Sequence, residues 1–323
     1  MRSVTFLASL ILGISALLHA DSDCLEEEND CCCHYDCHYV DIKESTKISA
    51  LPACGPLMPP FLADPRKIGM SAGWRVHDQA IKHVGVNDGF GPDCPSDHSG
   101  PVSFGDYAGL IRFCNPFCRG GILDIGIEGN VWAIFQHTRE SAPLINADYY
   151  VAIPITYAYR CWAFRVRLYH ISSHLGDEFL CNNLGFDRRN PSSEYIDFFM
   201  SWVPNCDIRI FGGAGFIVRR DETFQHRRLY FEYGFDYYFP VARWFIPKSC
   251  VLGRPFLGAY IRNREDNDYK FDGTFVYGYE WSRLYCDYKK IRVFMEYHTG
   301  YSLEGQFSRL RTEYAAFVVY YGY

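Results

Sequence analysis

The sequence predicts an all-β chain folded as a transmembrane antiparallel β-barrel of about twelve strands, with both termini on the periplasmic side. Three observations point there. From residue 67 onward, segments of roughly ten residues alternate apolar with polar or small side chains, separated by turn-rich polar stretches. Tyr and Phe number 25 each among 323 residues, which suits strands and the aromatic girdles of membrane interfaces. After the first twenty residues, no apolar run approaches the ~18 residues of a membrane-spanning helix. A 48% hydrophobic and 22% charged composition excludes a disordered chain or a coiled coil. A net charge of −6 provides no basic field for nucleic acid.

Residues 1–20 read as a signal peptide: Arg2 precedes the apolar run Phe6 to Leu18, and Leu18-His19-Ala20 suits a signal peptidase. Residues 21–66 read as a cysteine-rich periplasmic extension, and 67–323 as the barrel. Strands are expected at 69–77, 105–114, 122–136, 149–157, 161–174, 196–202, 208–219, 229–237, 253–263, 273–283, 290–300 and 311–323. In 149–157, Tyr149, Val151, Ile153, Ile155 and Tyr157 share one face. In 229–237, Leu229, Phe231, Tyr233, Phe235 and Tyr237 oppose Glu232 and Asp236. A soluble sandwich also alternates, but it could not bury so many charges. An even strand number puts the longer connections, among them 78–104 and 175–193, on the outer side. Arg165, Arg167, Arg209, Arg262 and Arg292 then face Glu128, Asp197, Glu232, Glu280 and Glu296 across a lumen laced with ion pairs.

Fourteen cysteines in an exported chain are expected as disulfides or as cross-links to other cysteine-rich envelope proteins. Twelve fall on the periplasmic side; Cys94 and Cys181 fall in outer loops. The cluster Cys31-Cys32-Cys33-His34-Tyr35-Asp36-Cys37-His38 has soft ligands, but three adjacent cysteines do not match the spacing of a zinc site.

The segment 165–178 carries the candidate chemistry. Continuing the parity of Val166 and Leu168 puts His170, Ser172 and His174 on the lipid face near the outer rim. A His and a Ser two apart on a strand point the same way, as a base and its hydroxyl must. Glu194, in register with Ile196 and Phe198, returns to the same rim, where a carboxylate can orient the imidazole. Ser173, His174, Asp177 and Glu178 are supporting candidates, the last two also as calcium ligands. Asn182, Asn183 and Asn190 are substitutes for the third member.

His170-Ile171-Ser172 resembles the His-x-Ser site of two outer-membrane lipid hydrolase families. These are the lipid A 3-O-deacylases, whose third member is Glu, and outer-membrane phospholipase A, a twelve-stranded calcium-dependent dimer whose third member is Asn. In both the motif usually continues with Asn, where Ser173 stands here. The resemblance implies Ser172 as nucleophile, His170 as general base, Glu194 as the third member, and a calcium requirement if the second relative is followed. The blocks Pro59-Pro60-Phe61-Leu62-Ala63-Asp64-Pro65-Arg66 and His170 to Glu178 also resemble a bacterial outer-membrane-type family known only as a domain of unknown function. That likeness implies a barrel and an envelope location but no activity.

The expected partners are outer-membrane lipid, the machinery that assembles barrels, and cysteine-rich envelope proteins. The expected activity is hydrolysis of an acyl ester in outer-leaflet lipid. A disulfide-cross-linked structural protein and a narrow pore for small solutes are the alternatives.

Overall fold

Alternation of this kind forms strands because each β residue turns its side chain to the opposite face of its neighbour's. The computed structural model describes residues 47–52, 55–83, 97–117, 120–136, 141–184, 186–240, 244–246, 251–283 and 289–323. Fourteen strands are seen among them. The first half of the chain forms β1 (Lys47–Ala50), β2 (Met70–Val76), β3 (Gly100–Cys114), β4 (Ile122–Phe135), β5 (Leu144–Tyr159), β6 (Trp162–Leu175) and β7 (Ser193–Asn205). The second half forms β8 (Ile208–Arg220), β9 (Leu229–Tyr238), β10 (Trp244–Ile246), β11 (Val251–Arg264), β12 (Gly273–Arg283), β13 (Lys290–Tyr301) and β14 (Arg311–Gly322).

Twelve of these close an antiparallel barrel. The chain of pairings runs from β2 through β14 and back by β11, β9 and β8 to β4, and β3 pairs with both β2 and β4. The short β1 lies alongside the end of β3, with Lys47 opposite Cys114, and β10 pairs with β11. The twelve expected segments are the twelve barrel strands. Several run longer than expected, β5 from 144 rather than 149 and β7 over 193–205 rather than 196–202, because alternation fades at strand ends: Ile145 to Asp148 are all buried, and Val203 to Asn205 are all at least partly exposed.

The two faces divide as the parity argument requires. Val151, Ile153, Ile155, Phe198, Met200, Phe231 and Phe235 stand exposed on the outer wall, while Asp124, Glu128, Asp197 and Asp236 are buried within. An apolar belt of this extent has to be covered, and lipid is the solvent that suits it. No helix among the described residues is long and apolar enough to cross a membrane.

The lumen is filled, and its filling comes from an unexpected place. Residues 1–46 and 53–54 lie outside the described residues, so the expected signal peptide and most of the expected extension do too. Residues 55–68, however, run inside the barrel. Leu57, Met58, Phe61, Leu62 and Ala63 are buried in one cluster with the wall residues Phe199, Phe211, Phe256 and Phe294. Phe61 stacks on Phe211 at 3.6 Å between ring centroids. Wall charges satisfy the plug's backbone: Arg209 donates to the carbonyls of Pro59 (2.8 Å) and Pro60 (2.9 Å), and Asp236 accepts from the Leu62 amide at 3.0 Å. Arg112 donates to Gly55 at 2.7 Å, and Arg66 pairs with Asp148. The extension expected to end at residue 66 therefore has its last stretch inside the barrel. Pro59, Pro60 and Pro65 make it read as a linker, but its apolar residues are interior side chains.

The expected ion pairs are present with some partners exchanged. Arg167 pairs with Asp197, Arg292 with Glu280, Arg209 with Asp236 and Arg262 with Asp272. Glu232 and Glu296 instead accept from Tyr260 and Tyr314, and Arg165 lies over Phe199. A second apolar cluster at the outer end joins Ile81, from the helix Gln79–His83, to Ile134, Ile145, Leu175, Phe179 and Phe307.

Of the cysteines, Cys161 and Cys181 are free within the chain, so neither forms an internal disulfide, one of the two fates expected for them. Cys114 and Cys206 are disulfide-bonded. The other ten lie outside the described residues.

Candidate functional site

The site is assembled by the register of two neighbouring strands. β6 and β7 pair without a slip from Trp162 opposite Trp202 up to Ile171 opposite Ser193, so His170 faces Glu194 directly. Both stand on the outer wall, partly exposed, with His170 Nδ1 3.9 Å from Glu194 Oε1. That is an ion-pair separation and longer than a hydrogen bond. On its other side Glu194 lies 3.7 Å from Arg219 Nη1.

Ser172, two residues beyond His170, shares its face and pairs in register with Tyr149 of β5. Among the described residues it makes no hydrogen bond to the imidazole. Free enzymes commonly hold such contacts long until substrate arrives. With Nδ1 turned to the carboxylate, the Nε2 side of His170 is available to the hydroxyl. His174 continues the same face and packs edge-on against Tyr149, at 5.5 Å between centroids.

The remaining candidates separate. Ser173 is buried on the opposite face, where it donates to Asn146 at 2.9 Å; Asn146 donates on to Asp148 at 2.8 Å. It braces the lumen and cannot reach the outer pair. Asp177 and Glu178 open the short helix Asp177–Asn182, where Glu178 accepts from Ser141 at 3.0 Å. Asn183 is engaged with the Phe179 carbonyl, and Asn190 with Asp221, so neither competes with Glu194. No group of three or more His, Cys, Asp or Glu fit to hold a metal gathers among the described residues. Asp177 and Glu178 have no further His, Cys, Asp or Glu gathered beside them among the described residues.

Sequence reasoning missed Arg219. Strict parity from Phe216 and Val218 sends it into the lumen, and only the pairing of β7 with β8 reveals where it points.

The family described as protein of unknown function (DUF1207) matches residues 37–323. The chain belongs to this family. Membership in an outer-membrane-type family of unknown function, expected from the two sequence blocks, is thereby borne out. No curated protein matches the DUF1207 chain by sequence. Its fold is similar to that of outer membrane phospholipase A from Escherichia coli, at 9% identity and a TM-score of 0.51, over 79% of this chain and 92% of that one. It is also similar to the Salmonella typhi outer membrane phospholipase dimer with bound calcium, at 9% identity and a TM-score of 0.52, over 80% and 93% of the two chains. LpxR from Salmonella typhimurium aligns at 10% identity with a TM-score of 0.35 over 79% and 100%, and carries no weight. At such identities the likeness is one of fold: a closed twelve-strand barrel of the outer-membrane type.

Proposed function

We propose that this DUF1207 barrel hydrolyses an acyl ester of outer-leaflet lipid. The observation that supports it best is the face-to-face register of His170 and Glu194 on the lipid side of the wall, with Ser172 on the same face two residues on. The Ser172 oxygen attacks the acyl carbonyl carbon while His170 takes the hydroxyl proton. Glu194 holds the imidazole in orientation and stabilises its charged form. The ester C–O bond breaks, and His170 returns the proton to the leaving lyso-lipid oxygen. Water then attacks the acyl-Ser172 ester by the same proton path and releases the fatty acid. A site on the outer wall receives its substrate directly from the membrane. The fold likeness to outer membrane phospholipase A is consistent with such a substrate, and with residence in the bacterial outer membrane.

The filled lumen disfavours the narrow pore. The disulfides of Cys114 and Cys206 suit a stapled or cross-linked inner end, which is compatible with a hydrolytic outer wall.

The test is fatty-acid release from phospholipid and from lipid A by refolded mature protein, with and without calcium, alongside Ser172→Ala. Release by wild type and none by the folded variant is expected. Equal release by both, or by neither, would overturn the reading.

A further inference from the structure

Along β8 the outward side chains are Ile210, Phe216 and Val218, and the inward ones Phe211 and Ile217. Arg219 should follow Ile217 into the lumen. It does not, because the register slips by one residue: Tyr195 pairs with Ile217 and Glu194 with Arg219, leaving Val218 unopposed. This is a β-bulge, which re-aims the side chains beyond it. Val218 and Arg219 both emerge on the outer surface, Arg219 with 79% of its side chain exposed. The bulge is fastened by Arg228, whose Nη1 donates to the carbonyls of Ile217 (3.3 Å) and Val218 (3.2 Å), with its guanidinium 5.5 Å above Phe216.

Arg219 holds no hydrogen bond among the described residues; its one charged neighbour is Glu194. Its fork of N–H donors therefore stands open on the lipid side, two strands and roughly 10 Å from the backbone of His170. At the headgroup level of a membrane, the group that matches an open guanidinium fork is a phosphate. Phosphate and acyl ester lie only a few bonds apart in a phosphate-bearing lipid, so one molecule can meet both.

We propose that Arg219, turned outward by the Val218 bulge, binds the phosphate of the lipid and so selects phosphate-bearing over neutral acyl esters. The proposal rests on the hydrolase reading for its role in turnover, and its binding claim can be read separately.

The experiment uses full-length mature protein in non-ionic detergent. Binding of phosphatidylglycerol and of monoacylglycerol with the same acyl chain is followed by native mass spectrometry on Ser172→Ala and on Ser172→Ala combined with Arg219→Gln, without turnover. Release from both lipids is followed on wild type, Arg219→Gln and Arg219→Lys. The expected result is phosphatidylglycerol binding weakened about ten-fold or more by Arg219→Gln, with monoacylglycerol unchanged. In turnover the same loss appears in KM for phosphatidylglycerol, and Arg219→Lys recovers part of it. Competition by millimolar inorganic phosphate supports recognition of the phosphate group alone; its failure to compete supports recognition of the lipid-borne group. Equal weakening of both lipids would make Arg219 only a brace for Glu194 and overturn the proposal, as would no weakening. Arg219-dependent binding without turnover by wild type would keep the phosphate site and remove the hydrolase.

Discussion

Glu194 stands between His170 on one side and Arg219 on the other, and its value depends on which it serves. If it orients the imidazole, Glu194→Gln keeps the shape but loses the charge that stabilises imidazolium. Fatty-acid release should then fall by about two orders of magnitude or more while lipid binding holds. Single-turnover kinetics beside a binding isotherm would check this, and unchanged release would remove Glu194 from the mechanism. His226 lies in the outer connection after β8. Burial holds its pKa below the usual value, outweighing the hydrogen bond to Asp266 at 3.1 Å. The folded loop thus resists a proton that the opened loop accepts near ~6.5. The loop's stability is full above that pH and is lost as pH falls through it. Amide protection across 221–228, taken relative to the intrinsic exchange rate at each pH, should fall below about pH 6.5 in wild type and stay flat in His226→Gln.

At the level of elements, parity was a sufficient guide wherever the ladder kept its step. β6 and β7 run in register across ten pairs, so counting from Leu168 and Ile196 placed His170, Ser172 and Glu194 on one face. One bulged residue, Val218, defeats the same count for Arg219, and nothing in the string Phe216-Ile217-Val218-Arg219-Arg220 announces a bulge. The plug was illegible for another reason. Residues 55–68 form no described strand or helix and carry no period; their partners, such as Arg209 and Asp236, lie about 150 to 175 positions away. The plug should nonetheless contribute strongly. Arg209→Ala leaves Asp236 buried without its cation and frees two plug carbonyls, at a cost of roughly 3–5 kcal/mol. The checking measurement is urea unfolding in detergent; a loss below about 1 kcal/mol would mean that the plug is not held as described. Packing sets a further constraint at Gly215, where an added Cβ would lie 2.0 Å from the Tyr230 ring, so Gly215→Val should unfold more readily.

The molecule is an inverted protein, apolar outside and charged within, and its stability should report that inversion. Ile153 is 49% exposed midway along β5 on the outer wall. Ile153→Arg should cost about 2–4 kcal/mol in lipid vesicles and far less in a position near the rim. A filled lumen also implies silence in planar bilayers, and steady conductance from wild type would contradict the plug. The central claim, a nucleophilic serine on the lipid side of a closed barrel, has its most direct test in labelling. Refolded protein in detergent is treated with a fluorophosphonate and digested, and the adduct is located by mass spectrometry, with His170→Ala treated in parallel. The account expects phosphonylation at Ser172 that His170→Ala abolishes. An unlabelled Ser172 in a folded barrel, or labelling indifferent to His170, would contradict it.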